Sequence, residues 1–248
     1  DWGKELADDL LRVIEKHGAD QIAAFITEPV AGSTGVLVPP KGYLERIRQI
    51  CTEHNILLIF DEVITGFGRL GDPFSAQRFN VEPDLITCAK GLTSGTVPMG
   101  AVMVKKEIYD AFQQGDPKVI DLFHGYTYSA HPLASAAMIA SLDVYLSDGL
   151  FKHASFLSSY WEEACHSLKG TDHIIDIRNL GLVAGIEMEP RDEKPGARGY
   201  DVFTDAFHNH NLLIRITGDT IALSPPLIVE KEHIDIIIET LRRIIPNH

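Results

Sequence analysis

The chain has 248 residues, 45% of them hydrophobic, and a formal net charge of −13. It is long and apolar enough for the packed core of one large or two small domains, and its acidity argues against a nucleic-acid surface, which needs basic patches. No apolar run approaches the roughly 20 residues that a membrane helix requires, and residues 1–5 lack the charged-then-apolar layout of a signal peptide. Three widely spaced cysteines, Cys51, Cys88 and Cys165, form no metal pattern and suit reduced thiols in a cytoplasm.

Leu6, Leu10, Val13 and Ile14 put one apolar stripe on a helix over about residues 4–16, stopped by Gly18. Residues 22–26 read as a buried strand ending at Glu28-Pro29, and a long Gly/Pro-rich loop follows at 29–40. Leu44, Ile47, Ile50 and Cys51 stripe the next helix. The apolar run 56–60 ends in Asp61-Glu62-Val63, and a second run, 85–89, ends in Lys90-Gly91. Short apolar runs bounded by turn residues read as buried parallel strands. Residues 101–104 supply a fourth strand, an Ala-rich helix is expected over 131–146, and another over about 151–168. Strands alternating with helices predict βαβ units in a mostly parallel sheet with right-handed crossovers.

After Lys169-Gly170 the rhythm changes. Strand candidates at 174–177, 182–186, 212–214 and 221–223, with helices at about 200–208 and 230–245, predict a separate α+β domain. The boundary is placed near Leu150, giving domains 1–150 and 151–248, with Gly149 as a candidate hinge. Four strands are few for a doubly wound sheet, so an N-terminal portion of that domain is expected to be missing.

In open α/β sheets, ligands bind beyond the carboxyl ends of the strands. Asp61 and Lys90 each stand at such an end. Taken alone, an aspartate leaving a strand is commonly a turn cap, Glu62 beside it offers a second carboxylate, and a loop lysine is ordinarily solvated. Between an apolar strand and a glycine, however, the Lys90 amine is expected to enter a partly buried site and become nucleophilic. Such an amine with a strand-end carboxylate suits pyridoxal 5′-phosphate (PLP): the lysine forms the Schiff base and Asp61 holds the pyridine nitrogen protonated.

Three other features invite a chemical reading. Residues 125–129 bring hydroxyls to the start of the 131–146 helix, where they either seat a phosphate or carboxylate or cap the helix. Arg215, at the end of the 212–214 strand, either clamps a substrate carboxylate in bidentate fashion or lies on the surface, and Glu28 is a candidate charge partner for it. Gly66-Phe67-Gly68-Arg69-Leu70-Gly71 spells G-x-G-x-x-G, but it neither leaves a strand directly nor opens a helix, so it is read as a plain glycine-rich loop. No ligands are spaced for a metal.

Residues 57–69, from Leu57 through Asp61-Glu62-Val63 to Gly66-Phe67-Gly68-Arg69, resemble the signature of the class III (ω-amino acid) aminotransferases. The segment from Pro83-Asp84-Leu85 to Lys90, with Pro98-Met99-Gly100-Ala101 after it, is similar to the lysine segment of the same family, and the 29-residue spacing of Asp61 and Lys90 fits. His124-Gly125-Tyr126-Thr127-Tyr128-Ser129-Ala130-His131-Pro132 and Gly218-Asp219-Thr220 are similar to the β-alanine–pyruvate subgroup.

The resemblance implies a fold-type I PLP-dependent transferase. In that fold, part of a mostly parallel large-domain sheet precedes a C-terminal α+β small domain, and homodimers or tetramers form their active sites at subunit interfaces. It implies that Lys90 forms the internal aldimine, Asp61 pairs with the pyridinium nitrogen, Val63 packs on the ring face, and Thr127 binds the cofactor phosphate of the neighbouring subunit. Arg215 becomes a mobile arginine for the keto acid's α-carboxylate. Glu28 matches the family's Glu-Pro motif, although the ornithine-type arginine position is Ala222 here. The implied reaction is amino transfer from an ω-amino acid or amine, β-alanine foremost, to pyruvate. A 4-aminobutyrate or diamine aminotransferase, a PLP aminomutase and an inactive fragment are the alternatives. The family's N-terminal phosphate-binding loop and stacking aromatic are not visible in these residues.

Overall fold

The first apolar stripe forms two helices, not one. In the computed structural model, which describes residues 2–119 and 124–248, α1 (Trp2–Ala7) and α2 (Asp9–His17) meet at a turn on Asp8. Arg46 holds that turn, its Nε donating to the Asp8 carboxylate at 2.7 Å. Then come β1 (Ala24–Thr27), α3 (Tyr43–Glu53), β2 (Leu57–Asp61), α4 (Ser75–Phe79), β3 (Leu85–Cys88), β4 (Ala101–Val104), α5 (Lys106–Ala111), α6 (Pro132–Ser147) and α7 (Leu150–His166). The short helices α4 and α5 escape a periodicity reading because neither is long enough to show an apolar stripe.

The first sheet has the order β1-β2-β3-β4. β1, β2 and β3 run parallel as expected, but β4 is antiparallel to β3, pairing Leu85 with Val104 and Cys88 with Ala101. A parallel return needs a crossover, usually a helix. Residues 89–100 hold only the 3-10 turn Lys90–Thr93, so the chain doubles back.

Asp84 fastens this sheet from below. Its carboxylate accepts the Leu58 N–H at 2.8 Å and Arg48 Nη1 at 2.7 Å, and Lys105 Nζ lies 3.2 Å away. Burial alone would raise its carboxyl, but those donors outweigh burial and leave it below the usual aspartate value. The Pro-Asp-Leu of the lysine segment therefore has a structural role.

The second sheet comprises β5 (Ile174–Leu180), β6 (Val183–Met188), β7 (Arg215–Thr217) and β8 (Thr220–Leu223) in the antiparallel order β5-β6-β8-β7. α8 (Ala197–His210) and α9 (Lys231–Ile244) accompany it. The strand expected at 212–214 is displaced to Arg215–Thr217. Residues 212–214 instead close the end of α8: Asn211 is left-handed (φ 53°) and Leu212 N–H returns to the Ala206 carbonyl at 2.9 Å. Arg215 thus opens β7 and does not follow a strand.

One buried apolar cluster runs across residue 150, joining Phe67, Cys88 and Leu92 to Trp161, Ile186 and Leu241. The glycine-rich loop and the turn after β3 are therefore built into the same core as the second sheet. Their closest approach is at Gly181, in the β5–β6 turn. Its φ is +56°, and a Cβ there would stand 2.4 Å from Leu70 Cα and 2.8 Å from the Arg69 carbonyl. Gly181→Ala is expected to cost about 2–4 kcal/mol, from the left-handed backbone plus the clash. Gly170→Ala, at φ +87° with open space around it, should cost only about 1–2 kcal/mol. Urea-denaturation midpoints of the two variants check this, and equal shifts would contradict it.

Candidate active site

The carboxyl ends of β2 and β3 lie side by side, with Asp61 paired to Thr87 in the parallel register. Asp61 closes β2, and its Oδ1 accepts the Val63 N–H at 3.0 Å. Glu62, the next residue, has a different fate. It is fully buried, and its Oε2 accepts the Ser75 N–H at 2.6 Å and the Thr65 hydroxyl at 3.1 Å. Its Oε1 accepts the Ala76 N–H at 3.0 Å, so the side chain caps the start of α4. Burial pushes the Glu62 carboxyl above the usual glutamate value, with these donors opposing the rise only in part. Successive strand residues face opposite sides, and here that separates two carboxylates which look equivalent in sequence. Glu62 is committed to the fold, while Asp61 keeps one oxygen without a hydrogen bond among the described residues.

Lys90 is the first residue of the 3-10 turn that follows β3, with a left-handed φ of 45°. A non-glycine residue there costs of order 1–2 kcal/mol, so its surroundings must impose the conformation. Gly91 packs so closely on Phe67 that a Cβ would come within 2.8 Å of the Phe67 Cβ. Tyr145, from α6, donates its hydroxyl to the Gly91 carbonyl at 2.7 Å and lies 3.0 Å from the Ser94 hydroxyl. Gly95 N–H closes the turn on the Lys90 carbonyl at 3.1 Å. Tyr145 was not among the residues singled out in the sequence; one tyrosine inside an apolar helix carries no local signal of a contact 54 positions away.

The expectation of a partly buried Lys90 is corrected: the side chain is exposed and opens into a cleft of about 610 Å³. Val63, Phe67, Tyr145, Arg215 and Leu227 share that cleft with it. Arg69 also lines it, but its guanidinium is spent as a strut between the two sheets. Its Nη1 donates to the carbonyls of Leu182 at 3.2 Å and Pro225 at 2.5 Å, and burial brings its pKa down to about 10. The glycine-rich loop exists to deliver this strut and Phe67.

The structure thus brings Val63, Lys90 and Arg215 into one cleft, with Asp61 at the adjoining strand tip. Thr127 lies elsewhere, exposed in a depression of about 730 Å³ that it shares with Pro98, Met99, Tyr128 and His131. Among the described residues no side chain caps the N-terminus of α6, so the capping reading of the hydroxyls at 125–129 does not hold. The expected Glu28–Arg215 pair does not form either. Glu28 Oε2 accepts the Gly32 N–H at 3.0 Å, and Arg215 Nη2 points to the Ser33 carbonyl at 3.5 Å. A primary amine open to a cleft, a carboxylate at the next strand tip and a β-branched side chain in the cleft wall form the donor set that the aldehyde, ring nitrogen and ring face of PLP require. On that chemistry the residues fit the group.

Residues 1–245 match the family described as Aminotransferase class-III. The chain is 62% identical over 243 residues to the omega-aminotransferase of Caulobacter vibrioides, covering 98% of this chain and 55% of that protein. It is 48% identical over 235 residues to the beta-alanine–pyruvate aminotransferase of Pseudomonas aeruginosa, covering 94% and 52%. The solved (S)-enantioselective omega-transaminase from Thermomicrobium roseum is similar with a TM-score of 0.89 at 37% identity, over 96% of this chain and 54% of that one. The chain spans about half the length of the curated relatives it matches. It belongs to the class III aminotransferases, a family of PLP-dependent enzymes of fold-type I.

Proposed function

We propose that the whole protein transfers an amino group from an ω-amino acid or amine, β-alanine foremost, to pyruvate. The observation that carries this reading is the shared cleft, in which a strand-end amine (Lys90) and a guanidinium (Arg215) border the same space. The names borne by its relatives, an omega-aminotransferase and a beta-alanine–pyruvate aminotransferase, support it.

Lys90 would hold PLP covalently, Asp61 would face its ring nitrogen, Val63 its ring, and Thr127 the phosphate bound in a neighbouring subunit. When bound, PLP supplies an electron sink and carries the amino group between the two half-reactions. With PLP bound, Lys90 Nζ would serve as the general acid–base of both half-reactions, taking a proton from the substrate carbon in the first and delivering one to the keto acid's carbon in the second. The Asp61 carboxylate keeps a proton on the facing nitrogen, so that negative charge is stabilised there as it develops. Arg215 receives the α-carboxylate of the keto acid through a charge-assisted bidentate contact. Glu28 serves substrate binding indirectly, by holding the loop at Gly32.

The assembly we propose is a homodimer or a tetramer. α6 supports this: a helix apolar on all sides is normally buried, yet Leu133, Ile139 and Leu146 are exposed. The free, buried thiols of Cys51, Cys88 and Cys165 suit the cytoplasmic setting. No single helix among the described residues is long and apolar enough to cross a membrane.

A donor panel tests the reaction. Full-length holoenzyme is expected to turn over β-alanine with pyruvate faster than 4-aminobutyrate or a diamine with 2-oxoglutarate. The reverse ranking would move the assignment to another class III activity. Turnover without any keto acid would identify an aminomutase.

A further inference from the structure

Backbone strain gathers around one side chain. Three non-glycine residues that line the Lys90 cleft have left-handed backbones: Phe67 (φ 59°), Lys90 (φ 45°) and Ser94 (φ 50°). That conformation costs an L-residue free energy and persists only where the surroundings over-determine it. Phe67 and Ser94 touch Tyr145 of α6 directly, and Lys90 is tied to it through Gly91. The Tyr145 ring is buried, stacked with Phe67 at 6.1 Å and 22° and with Phe151 at 5.3 Å and 27°. Its hydroxyl lies 2.7 Å from the Gly91 carbonyl and 3.0 Å from the Ser94 hydroxyl.

A phenol has one proton to donate. Here it goes to the Gly91 carbonyl, so Ser94 donates to the phenolic oxygen. The relay from Ser94 through Tyr145 to Gly91 spans the turn from its far end to the residue beside Lys90. Backbone bonds also close the turn on itself: Ser94 N–H meets the Gly91 carbonyl at 3.2 Å, and Gly95 N–H meets that of Lys90 at 3.1 Å. A carbonyl oxygen has two lone pairs, so Gly91 accepts both of its donors. Those backbone bonds fix the shape of the turn but tie it to nothing else. Among the described residues, Tyr145 is the side chain of another element that hydrogen-bonds to it. The Lys90 side chain leaves a left-handed Cα, so any relaxation of the turn re-aims Nζ, and a misplacement of about 1 Å can cost about 10²-fold in rate.

We infer that Tyr145 is a positioning residue for Lys90: its hydroxyl clamps the strained turn and so aims Nζ into the cleft. The inference rests on the reading of Lys90 as the lysine that holds PLP. Tyr145→Phe keeps the ring stack and removes only the hydroxyl. The test mixes full-length protein stripped of PLP with fresh PLP. The Lys90 amine adds to the aldehyde, water leaves, and the growth of the visible absorbance times the step. Tyr145→Phe is expected to slow that growth about 3–10-fold, as for the loss of one hydrogen bond, and to lower kcat by a similar factor. KM for pyruvate should stay within about twofold, since no substrate contact is lost. Ser94→Ala, at an exposed position, is expected to fold in any case and to show a smaller loss in the same direction. Gly170→Ala, strained only at its own backbone, loses stability but should leave both rates at the wild-type value. Wild-type rates in Tyr145→Phe, an equal slowing in Gly170→Ala, or a rise in KM for pyruvate with unchanged growth of absorbance would overturn the role of Tyr145. So would a loss in Ser94→Ala larger than that in Tyr145→Phe. Lys90→Ala separates the two levels: if it keeps the absorbance, the PLP reading of Lys90 fails and the role of Tyr145 with it. If it abolishes the absorbance while Tyr145→Phe is silent, the role of Tyr145 alone fails.

Discussion

Full-length protein carrying Lys90→Ala is expected to lose the visible absorbance of lysine-bound PLP and to fall in turnover by at least about 10²–10⁴-fold, the contribution of positioned proton transfer alone. Among the described residues that line the cleft, Lys90 is the only primary amine. No neighbour there can substitute, because the guanidinium groups of Arg69 and Arg215 form no imine. The loss should be chemical and not structural: the Lys90 side chain is exposed, and the turn is held by Gly91, Tyr145 and Gly95. The unfolding midpoint is therefore expected to move by less than about 1 kcal/mol, as for an exposed substitution. Retained absorbance or turnover would remove Lys90 from the reaction.

The second large effect distinguishes two adjacent carboxylates. Asp61→Asn is expected to lower kcat by about 10²–10³-fold, the usual cost of losing one preorganised electrostatic partner, with little change in stability. Glu62→Ala is expected to do the opposite. It strands the N–H groups of Ser75 and Ala76 and the Thr65 hydroxyl in the interior, at about 3–5 kcal/mol for several buried groups left unpaired. The pH dependence follows from the direction of the Glu62 shift. Burial raises its carboxyl in the folded protein, so the folded state binds this proton more readily than the unfolded chain does. The corresponding stability is fully present below the ordinary glutamate value and is lost as pH rises through the raised folded value. Urea midpoints followed upward from about pH 4.5, the ordinary value, should therefore fall more steeply for wild type than for Glu62→Gln. Parallel profiles would show that Glu62 is not the titrating group, and loss of turnover in Glu62→Gln at full stability would reverse the two assignments.

Much of the site was legible before the fold. The runs ending at Asp61 and Lys90 switch abruptly from apolar to polar, and a strand's end is marked by just such a local change. β1, β2 and β3, with α6 and α7, lie within a few residues of their predicted bounds for the same reason, and α3 contains its predicted apolar stripe. The motif around Arg69 was legible as a glycine-rich loop, but not as a strut, because the carbonyls it grips are 113 and 156 positions away.

The amino-acid sequence by itself determined the parallel strands, the amine and carboxylate at their tips, and the family to which those residues belong. Those are properties of short segments, written in hydrophobic periodicity and residue chemistry. The tertiary structure decided which of Asp61 and Glu62 is free for chemistry, the reversed direction of β4, and the late start of β7 at Arg215. It also placed Arg215 against the Ser33 carbonyl, 182 positions away, in place of Glu28. Each of these depends on a partner distant in the chain, and local propensity carries no information about which distant group will fill a given hydrogen bond.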